Sequence, residues 1–338
     1  MKVTLNDIAK LAKVSPSTVS RAITNNPKIS SETREKVFKI MRELNYHPNM
    51  IARSLANRSS RIIGVIIPSL AEKAFKHPFF PEVLSGINSI AHKNKYNILI
   101  ANVSSLDEEK QTLNQFALGG ITEGIILLAS RVNDPSVTEL LRLKFPFVVI
   151  GKPENEDQVN WVDNNNFTIG YELTEHLLEQ GHSKIAFLGV SSNYMVTLER
   201  LNGYKKAFCE RGLPLDERLI VESKFIEDNG YDLMTELFAR GVTLSGIIAG
   251  DDLLAFGALK FLNERGIKVP EDMAVAGFNN VPLANYSSPS LTSVEIHAFS
   301  LGAKAFELLL NAINSDCMGY NRTIVPAELV IRDSTLIK

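Results

Sequence analysis

Hydroxyl side chains and one arginine are grouped at the start of a predicted helix near the N-terminus. Ser15 can accept hydrogen bonds from the free N–H groups of that helix, and proline at the next position suits a first helical residue. Hydroxyl and guanidinium groups are well suited to hydrogen-bond base edges and phosphates. The segment therefore predicts contact with DNA, through the following residues: Ser15, Pro16, Ser17, Thr18, Ser20 and Arg21.

Two further helices are predicted to hold this segment in place. Apolar residues recur at helical spacing in the first of them: Leu5, Ile8, Ala9 and Ala12. Val14 closes the turn before the second helix. A third helix is predicted over residues 30–44, capped by Ser30 or Ser31. Two short amphipathic helices around a tight turn, followed by a third, indicate a helix-turn-helix.

The charge distribution supports this interpretation. Residues 1–60 hold 11 Lys and Arg against 4 Asp and Glu, whereas the remainder holds 25 basic and 34 acidic residues. The overall net charge of −2 therefore conceals a basic segment joined to an acidic body. Such asymmetry is typical of nucleic-acid binding. Without the helix motif in the same residues, the charge could instead be that of an ordinary solvated helical surface.

The chain after the third helix divides into a linker and a large body. Residues 1–47 form the predicted headpiece, residues 48–61 a short helix with a polar linker, and residues 62–338 the body. The linker helix has about two turns, too few to be stable alone in water. In the body, continuous apolar strands alternate with amphipathic helices, which predicts an α/β fold with two doubly wound parallel sheets and a cleft at the strand ends.

Other features exclude several classes of protein. We find no GxGxxG after the first strand, no phosphate-binding loop, no nucleophile motif and no metal-ligand spacing, so neither an enzyme nor a cofactor is expected. The polar N-terminus and the absence of a long apolar run predict a cytoplasmic protein with no membrane contact. Cys209 and Cys317 are isolated, as expected for reduced thiols.

Nine motifs, in order, resemble the LacI/GalR family of bacterial transcription regulators over essentially the whole chain. They are VTLNDIAKLAKVSPSTVSRAITN, ISSETREKVFKIMRELNYHPN, ARSLAN, IGVIIP, HPFFPEVLSGI, VDNNNFTIGYELTEHLLEQGH, ERLNGY, GDDLLAFGAL and VPEDMAVAGFNN. The resemblance implies a headpiece, a hinge helix and a two-lobed body like periplasmic sugar-binding proteins. It implies an N-lobe of about 62–161 plus 292–320 and a C-lobe of about 162–291 plus 321–338.

The same resemblance assigns roles in DNA binding. It implies that Pro16, Ser17 and Arg21 face the major groove, where Arg21 contacts a guanine edge or a phosphate. Capping or phosphate contacts are expected from Ser15, Thr18 and Ser20. Asn6 and Asn25 are then expected to contact the DNA backbone. In the hinge helix, Leu55 would be a wedge inserted between base pairs from the minor groove, or would instead pack under the headpiece. Ala56 beside it would permit close approach.

The resemblance also implies an effector site in the body. Arg200 would hydrogen-bond vicinal hydroxyls or a carboxylate, and acceptors for sugar hydroxyls would come from Asp163, Asp251 and Asn279. Phe79 and Phe80 would lie at the cleft edge, one of them in the core. Trp161 is either crossover packing or a stacking platform, and Asp252 is either a helix N-cap or a ligand contact. The residues implied for the site are Phe79, Phe80, Asp163, Arg200, Asp251, Asn279 and Trp161.

Departures from the family pattern bear on which class of effector could bind. Many relatives have Asn-Asp where this chain has Asp251-Asp252, and Asp where it has Asn279. A neutral polyol remains compatible with these groups, and the motifs most resemble maltose-responsive repressors of Gram-positive bacteria. The resemblance therefore implies a repressor that binds double-stranded operator DNA as a homodimer under the control of maltose or a maltodextrin. The alternatives are a catabolite-control regulator with a phosphocarrier protein as corepressor and a non-regulatory sugar-binding protein.

Overall fold

The computed structural model describes residues 3–46, 59–68, 75–223, 230–315 and 319–336. Internal contacts divide the chain into two units, Met1–Ser60 and Arg61–Lys338. The hinge helix predicted from the sequence, with Leu55 and Ala56, lies outside the described residues.

The described residues of the first unit form three helices, each begun by a hydroxyl side chain. These helices are α1 (Leu5–Ala12), α2 (Pro16–Ile23) and α3 (Ser31–Glu43). Thr4 and Asp7 form a reciprocal capping box on α1, Ser15 caps α2 and Ser30 caps α3. The buried core of the unit comes from all three helices, and its residues are Ile8, Ala9, Ala12, Val19, Ala22, Val37 and Met41. The predicted apolar faces therefore do pack against one another.

The N-lobe of the second unit is built on a parallel six-stranded sheet. Its strands are β1 (Ile62–Ile67), β2 (Asn97–Asn102), β3 (Gly124–Leu127), β4 (Phe147–Ile150), β5 (Asn160–Asp163) and β11 (Arg322–Ile324), in the order β11-β5-β4-β3-β1-β2. Alternate residues of β1 enter opposite cores. Val65 packs with helices α4 (Phe79–Lys93) and α11 (Ala298–Asn314). Ile66 packs with α5 (Leu106–Leu118) and α6 (Pro135–Leu143). Helices therefore cover both faces, as continuous apolar strands require.

The C-lobe repeats this plan with one exception. Its strands are β6 (Ile185–Gly189), β7 (Ile220–Glu222), β8 (Gly246–Ala249), β9 (Ala274–Phe278), β10 (Thr292–Glu295) and β12 (Glu328–Val330), in the order β12-β10-β9-β8-β6-β7. One face carries α7 (Asn166–Glu179) and α8 (Met195–Glu210), and the other carries α9 (Gly230–Ala239) and α10 (Asp252–Glu264). Edge strand β12 runs antiparallel to β10. Short 3₁₀ turns occur at Glu217–Leu219 and Pro282–Asn285.

The strand pairing corrects the lobe boundaries expected from the resemblance. The expected N-lobe began its second segment at residue 292, but β10 pairs with β9 and belongs to the C-lobe. The expected C-lobe included residues 321–338, but β11 pairs with β5 in the N-lobe. Both errors have one cause: a short apolar strand shows that it is a strand but not which sheet edge it joins, because pairing depends on distant residues.

In the described part of the chain, no helix has the length and apolar character needed to cross a bilayer.

Candidate functional site

Three hydroxyl groups form a connected cluster at the start of α2. Ser15 Oγ accepts the Thr18 backbone N–H at 3.1 Å and lies 2.8 Å from the hydroxyls of both Ser17 and Thr18. The cap satisfies a helix N–H group that would otherwise lack an acceptor within the helix. Ser15 thus contributes to the shape of the helix start.

The polar residues predicted to contact DNA lie on the surface of the headpiece unit. Pro16, Ser17 and Arg21 are exposed on α2, while Val19 from the same helix is buried. Ser20 and Thr18 are partly exposed. The helix therefore presents small groups and a guanidinium on one side, in the pattern used to read the major groove.

Two asparagines flank this surface. Asn6 is exposed in the first turn of α1. Asn25 is exposed just after α2, where its φ of 53° is left-handed, a conformation that asparagine adopts more readily than most residues. The chain turns there, and the Asn26 N–H donates to the Arg21 carbonyl at 3.0 Å. Asn25 thus ends the helix and leaves its amide side chain at the surface.

A cavity of about 410 Å³ lies between the two lobes of the second unit. The strand ends of both sheets border it, as expected for a ligand site in doubly wound folds. Most of its wall is apolar, with polar groups at a few points. Those predicted from the sequence that line it are Phe79, Phe80, Asp163, Arg200, Asp251 and Asn279.

Arg200 is fixed in the cavity wall by several contacts. Its Nε donates to Asn166 Oδ1 at 2.9 Å, and one terminal nitrogen donates to the Gly250 carbonyl at 2.8 Å. The guanidinium also lies 4.1 Å from the centroid of the Phe278 ring. Helices α7 and α8 also pack closely at this point, which holds the Arg200 backbone in place: a Cβ at Gly170 of α7 would lie 2.6 Å from the Arg200 carbonyl oxygen. Burial lowers the pKa of Arg200 to about 10, so the group remains a cation at neutral pH.

Asp163, at the end of β5, accepts three hydrogen bonds. One oxygen accepts the Lys152 N–H at 2.9 Å, and the other accepts the Asn164 N–H at 2.8 Å and the Asn166 side-chain amide at 2.9 Å. Burial raises the pKa of Asp163 to about 6, although these donors and Arg200 lower it. The carboxylate is therefore a buried acceptor with a fixed orientation in the cavity wall.

Asp251 is the N-cap of α10 and faces the same cavity. Its Oδ1 accepts the Leu253 N–H at 2.7 Å. Its Oδ2 accepts from the Asn279 side-chain amide and lies 2.9 Å from Nε2 of His77. Asn279 reaches this position because its φ of 97° turns the chain sharply after β9. The two residues at which the sequence departs from many relatives thus bond to each other.

Asp252 takes neither of the two roles left open by the sequence: the N-cap is Asp251, and Asp252 is fully buried and does not line the cavity. Its carboxylate accepts the Val281 N–H at 2.9 Å and the Ser293 hydroxyl at 2.6 Å. The pKa of this carboxyl is raised to about 7, chiefly by burial and also by the charge of Asp251, against the Ser293 hydrogen bond, which lowers it. These bonds join the loop after β9 to the start of α10, the two segments that carry Asn279 and Asp251.

The two phenylalanines at the start of α4 differ in burial, as the sequence suggested. Phe80 is buried in the N-lobe core, and Phe79 is partly exposed. Their rings meet edge to face with centroids 5.3 Å apart, and both line the cavity. Phe79 is therefore the ring better placed to contact a ligand.

Trp161 does not line the cavity, so it is removed from the effector site predicted from the sequence. The side chain is 2% exposed within the N-lobe core. Its indole N–H donates to the Glu156 carbonyl at 3.1 Å. Crossover packing, one of the two roles left open by the sequence, explains both observations.

Several cavity residues were missed in the sequence. His77, Tyr194 and Leu253 all line the cavity. His77 stands beside Pro78 within the HPFF motif, so its position was available as a signal, but its partner is 174 residues away. Asn166 was also missed, although it contacts both Arg200 and Asp163.

Two known protein families match this chain, one in each of its two units. Residues 4–49 match the lacI family of bacterial regulatory proteins, and residues 174–335 match a periplasmic binding protein-like domain. The HTH-type transcriptional regulator MalR of Streptococcus pneumoniae is 36% identical over 318 residues, which cover 94% of each chain. This chain belongs to the LacI family of bacterial regulatory proteins.

Solved structures of transcriptional regulators are also similar to this chain in fold. The transcriptional regulator CelR–cellobiose complex is 30% identical, with a TM-score of 0.77 and coverage of 98% of this chain and 99% of that one. The probable maltose operon transcriptional repressor malR from Staphylococcus aureus is 28% identical, with a TM-score of 0.73 and coverage of 83% and 99%. The predicted fold class is confirmed, and so is the prediction of a DNA-binding transcriptional regulator rather than an enzyme.

Proposed function

We propose that this LacI-family protein is a repressor whose effector is maltose or a short maltodextrin, bound in the cavity between the lobes. The observation that carries the proposal is the meeting of two fixed carboxylates, a guanidinium and an aromatic ring in one cavity. Asp163 and Asp251 accept hydrogen bonds, Arg200 donates them, and Phe79 offers an aromatic surface to a sugar ring. A cavity of about 410 Å³ falls within the usual range for small-molecule sites.

The arrangement of charge favours a neutral polyhydroxy ligand. The carboxylates of Asp163 and Asp251 are oriented by backbone N–H groups, so they present acceptors to hydroxyl donors. An anionic ligand would meet both carboxylates as well as the buried guanidinium of Arg200 and the exposed ammonium of Lys76. The structural neighbours support a disaccharide, because one was solved with cellobiose and another is described as a repressor of a maltose operon.

The test is a titration of a labelled operator complex, using an operator selected from random duplexes. We expect maltose or maltotriose to weaken operator binding by about 5- to 150-fold, the usual span of allosteric coupling. Sucrose, galactose and ribose serve as comparison ligands. If none of the five sugars changes operator affinity, the proposed effector class is wrong. If a phosphorylated phosphocarrier protein alone tightens operator binding, the corepressor alternative replaces it.

The DNA-bound form is proposed to be a homodimer on a pseudo-palindromic site, because two-fold symmetric proteins read symmetric half-sites. In each chain the exposed face of α2 would enter the major groove, and Leu55 would enter the minor groove as a wedge. Leu55→Ala should abolish the preference for operator over random DNA and leave the free protein folded. An unchanged preference would refute the wedge.

A further inference from the structure

His77 joins the two lobes across the effector cavity. It precedes α4 in the N-lobe, whereas Asp251 caps α10 in the C-lobe. Nε2 of His77 lies 2.9 Å from Oδ2 of Asp251, and both side chains are largely shielded from solvent. A hydrogen bond of this length between lobes depends on how far apart the lobes stand.

The histidine ring is held in one orientation. The Phe79 N–H donates to Nδ1 at 3.3 Å, which leaves Nε2 to carry the hydrogen that Asp251 accepts. The Phe80 ring meets the imidazole edge to face, with centroids 5.7 Å apart. Burial lowers the pKa of His77 and Asp251 raises it more, with a net upward shift. Nε2–H faces Asp251 in both the neutral and the protonated ring, whereas the bond from the Phe79 N–H needs the neutral ring, because only an unprotonated Nδ1 can accept it.

The Asp251 carboxylate is held by donors from both lobes. Its two oxygens accept from three different segments: the first turn of α10 through Leu253, the loop after β9 through Asn279, and the N-lobe through His77. The first two donors belong to the C-lobe, and His77 is the donor from the other lobe.

A second contact between the lobes is made by backbone. The Val132 N–H donates to the Asn193 carbonyl at 2.9 Å, and the Met195 N–H donates to the Ser130 carbonyl at 3.0 Å. Ser130 also lines the cavity. Those bonds involve no side-chain atom, so a substitution at His77 removes the side-chain contact and leaves the donors and acceptors of the backbone contact in place.

We propose that His77 is a positioning residue of the effector site, which links the two lobes and orients the Asp251 carboxylate toward the ligand. The inference rests on the proposed function for its ligand, since the carboxylate is the group expected to accept a sugar hydroxyl. It adds a residue from the N-lobe to the groups that set the position of this C-lobe carboxylate.

The first test needs no sugar. Hydrogen exchange of the Leu253 amide reports on the cap, because this N–H bonds to Asp251. His77→Ala in the full-length protein should speed exchange at Leu253 by about 3- to 10-fold, the worth of one ordinary hydrogen bond. His77→Gln, which keeps an N–H donor, should restore part of the protection. His92→Ala, at an exposed histidine of α4, is the matched control and should have no effect. Equal exchange in wild type and His77→Ala would overturn the proposal.

The second test separates positioning from direct contact. By calorimetry with maltose, His77→Ala should weaken binding by about 3- to 10-fold in the wild-type background. In an Asp251→Asn background, which keeps a cap acceptor, the same change should cost less than about 2-fold, because His77 acts through Asp251. An equal loss in both backgrounds would mean that His77 touches the sugar itself, and would overturn the proposal.

The two failures are distinguishable. If wild-type protein binds no maltose or maltotriose, the proposed function fails, and the exchange comparison at Leu253 still decides the role of His77.

Discussion

Arg200→Met tests how much of the body depends on the buried guanidinium. Methionine keeps an unbranched apolar stem but loses the donors to Asn166 and Gly250. A hydrogen bond from a charged group is worth about 1.5–3 kcal/mol, and a desolvated cation–π contact such as that with Phe278 adds about 2 kcal/mol.

Part of that energy is recovered because the variant no longer buries a cation. The lowered pKa of Arg200 shows that its burial costs free energy. Removing one member of a buried polar network nevertheless leaves its partners without donors. We therefore expect the free energy of unfolding to fall by about 2–4 kcal/mol. Maltose affinity should fall by about 10- to 150-fold, the worth of one charged hydrogen bond, since a donor in the cavity is lost and the pKa of Asp163 rises further.

The assay is urea unfolding together with calorimetric titration of maltose. Arg211→Met is the matched control, because Arg211 is the C-cap of the same helix and its bond to Glu175, at 2.7 Å, is at the surface. An exposed ion pair contributes less than about 1 kcal/mol. If Arg200→Met is no less stable than Arg211→Met and binds maltose as wild type does, the reasoning about the buried guanidinium is refuted.

Three further predictions concern other parts of the molecule. Trp161→Phe should destabilise the body by about 1–3 kcal/mol in urea, through the lost indole hydrogen bond and a small void, with maltose affinity unchanged; weaker binding would restore Trp161 to the site. Ser15→Ala should destabilise the helix start by about 0.5–2 kcal/mol, seen as faster amide exchange at Thr18 in the full-length protein; exchange equal to wild type would mean that the cap contributes nothing. The raised pKa of Asp163, about 6 against an ordinary 3.8, means that its contribution to stability is complete below about pH 4 and is lost as the pH rises through 6. Asp163→Asn should flatten this decline in unfolding experiments from pH 4 to 7, and an identical slope in both proteins would contradict the assignment.

Sequence reasoning was most accurate where the deciding interaction is local. Ser15 and Ser30 cap the helices they were expected to cap, because the acceptor and the N–H group are three residues apart. It was least accurate for strand pairing and side-chain surroundings. The role of Trp161 stayed open because an indole can pack in a core or against a ligand, and only its neighbours decide between these. The sequence leaves Asp252 as a cap or a ligand contact, but the capping carboxylate is the preceding one, Asp251, and Asp252 is buried behind it.

By itself, the sequence determined the helix-turn-helix, the alternation of strands and helices, and the grouping of Arg200, Asp163 and Asp251 in one cleft through resemblance. Only the tertiary structure decided that β10 belongs to the C-lobe and β11 to the N-lobe. It also decided that Trp161 lies in the core and that His77 bonds to Asp251. The physical reason is the range of the interactions. Caps and apolar faces are set within a few residues, whereas the bond between His77 and Asp251 spans 174 residues and exists only when the two lobes lie together.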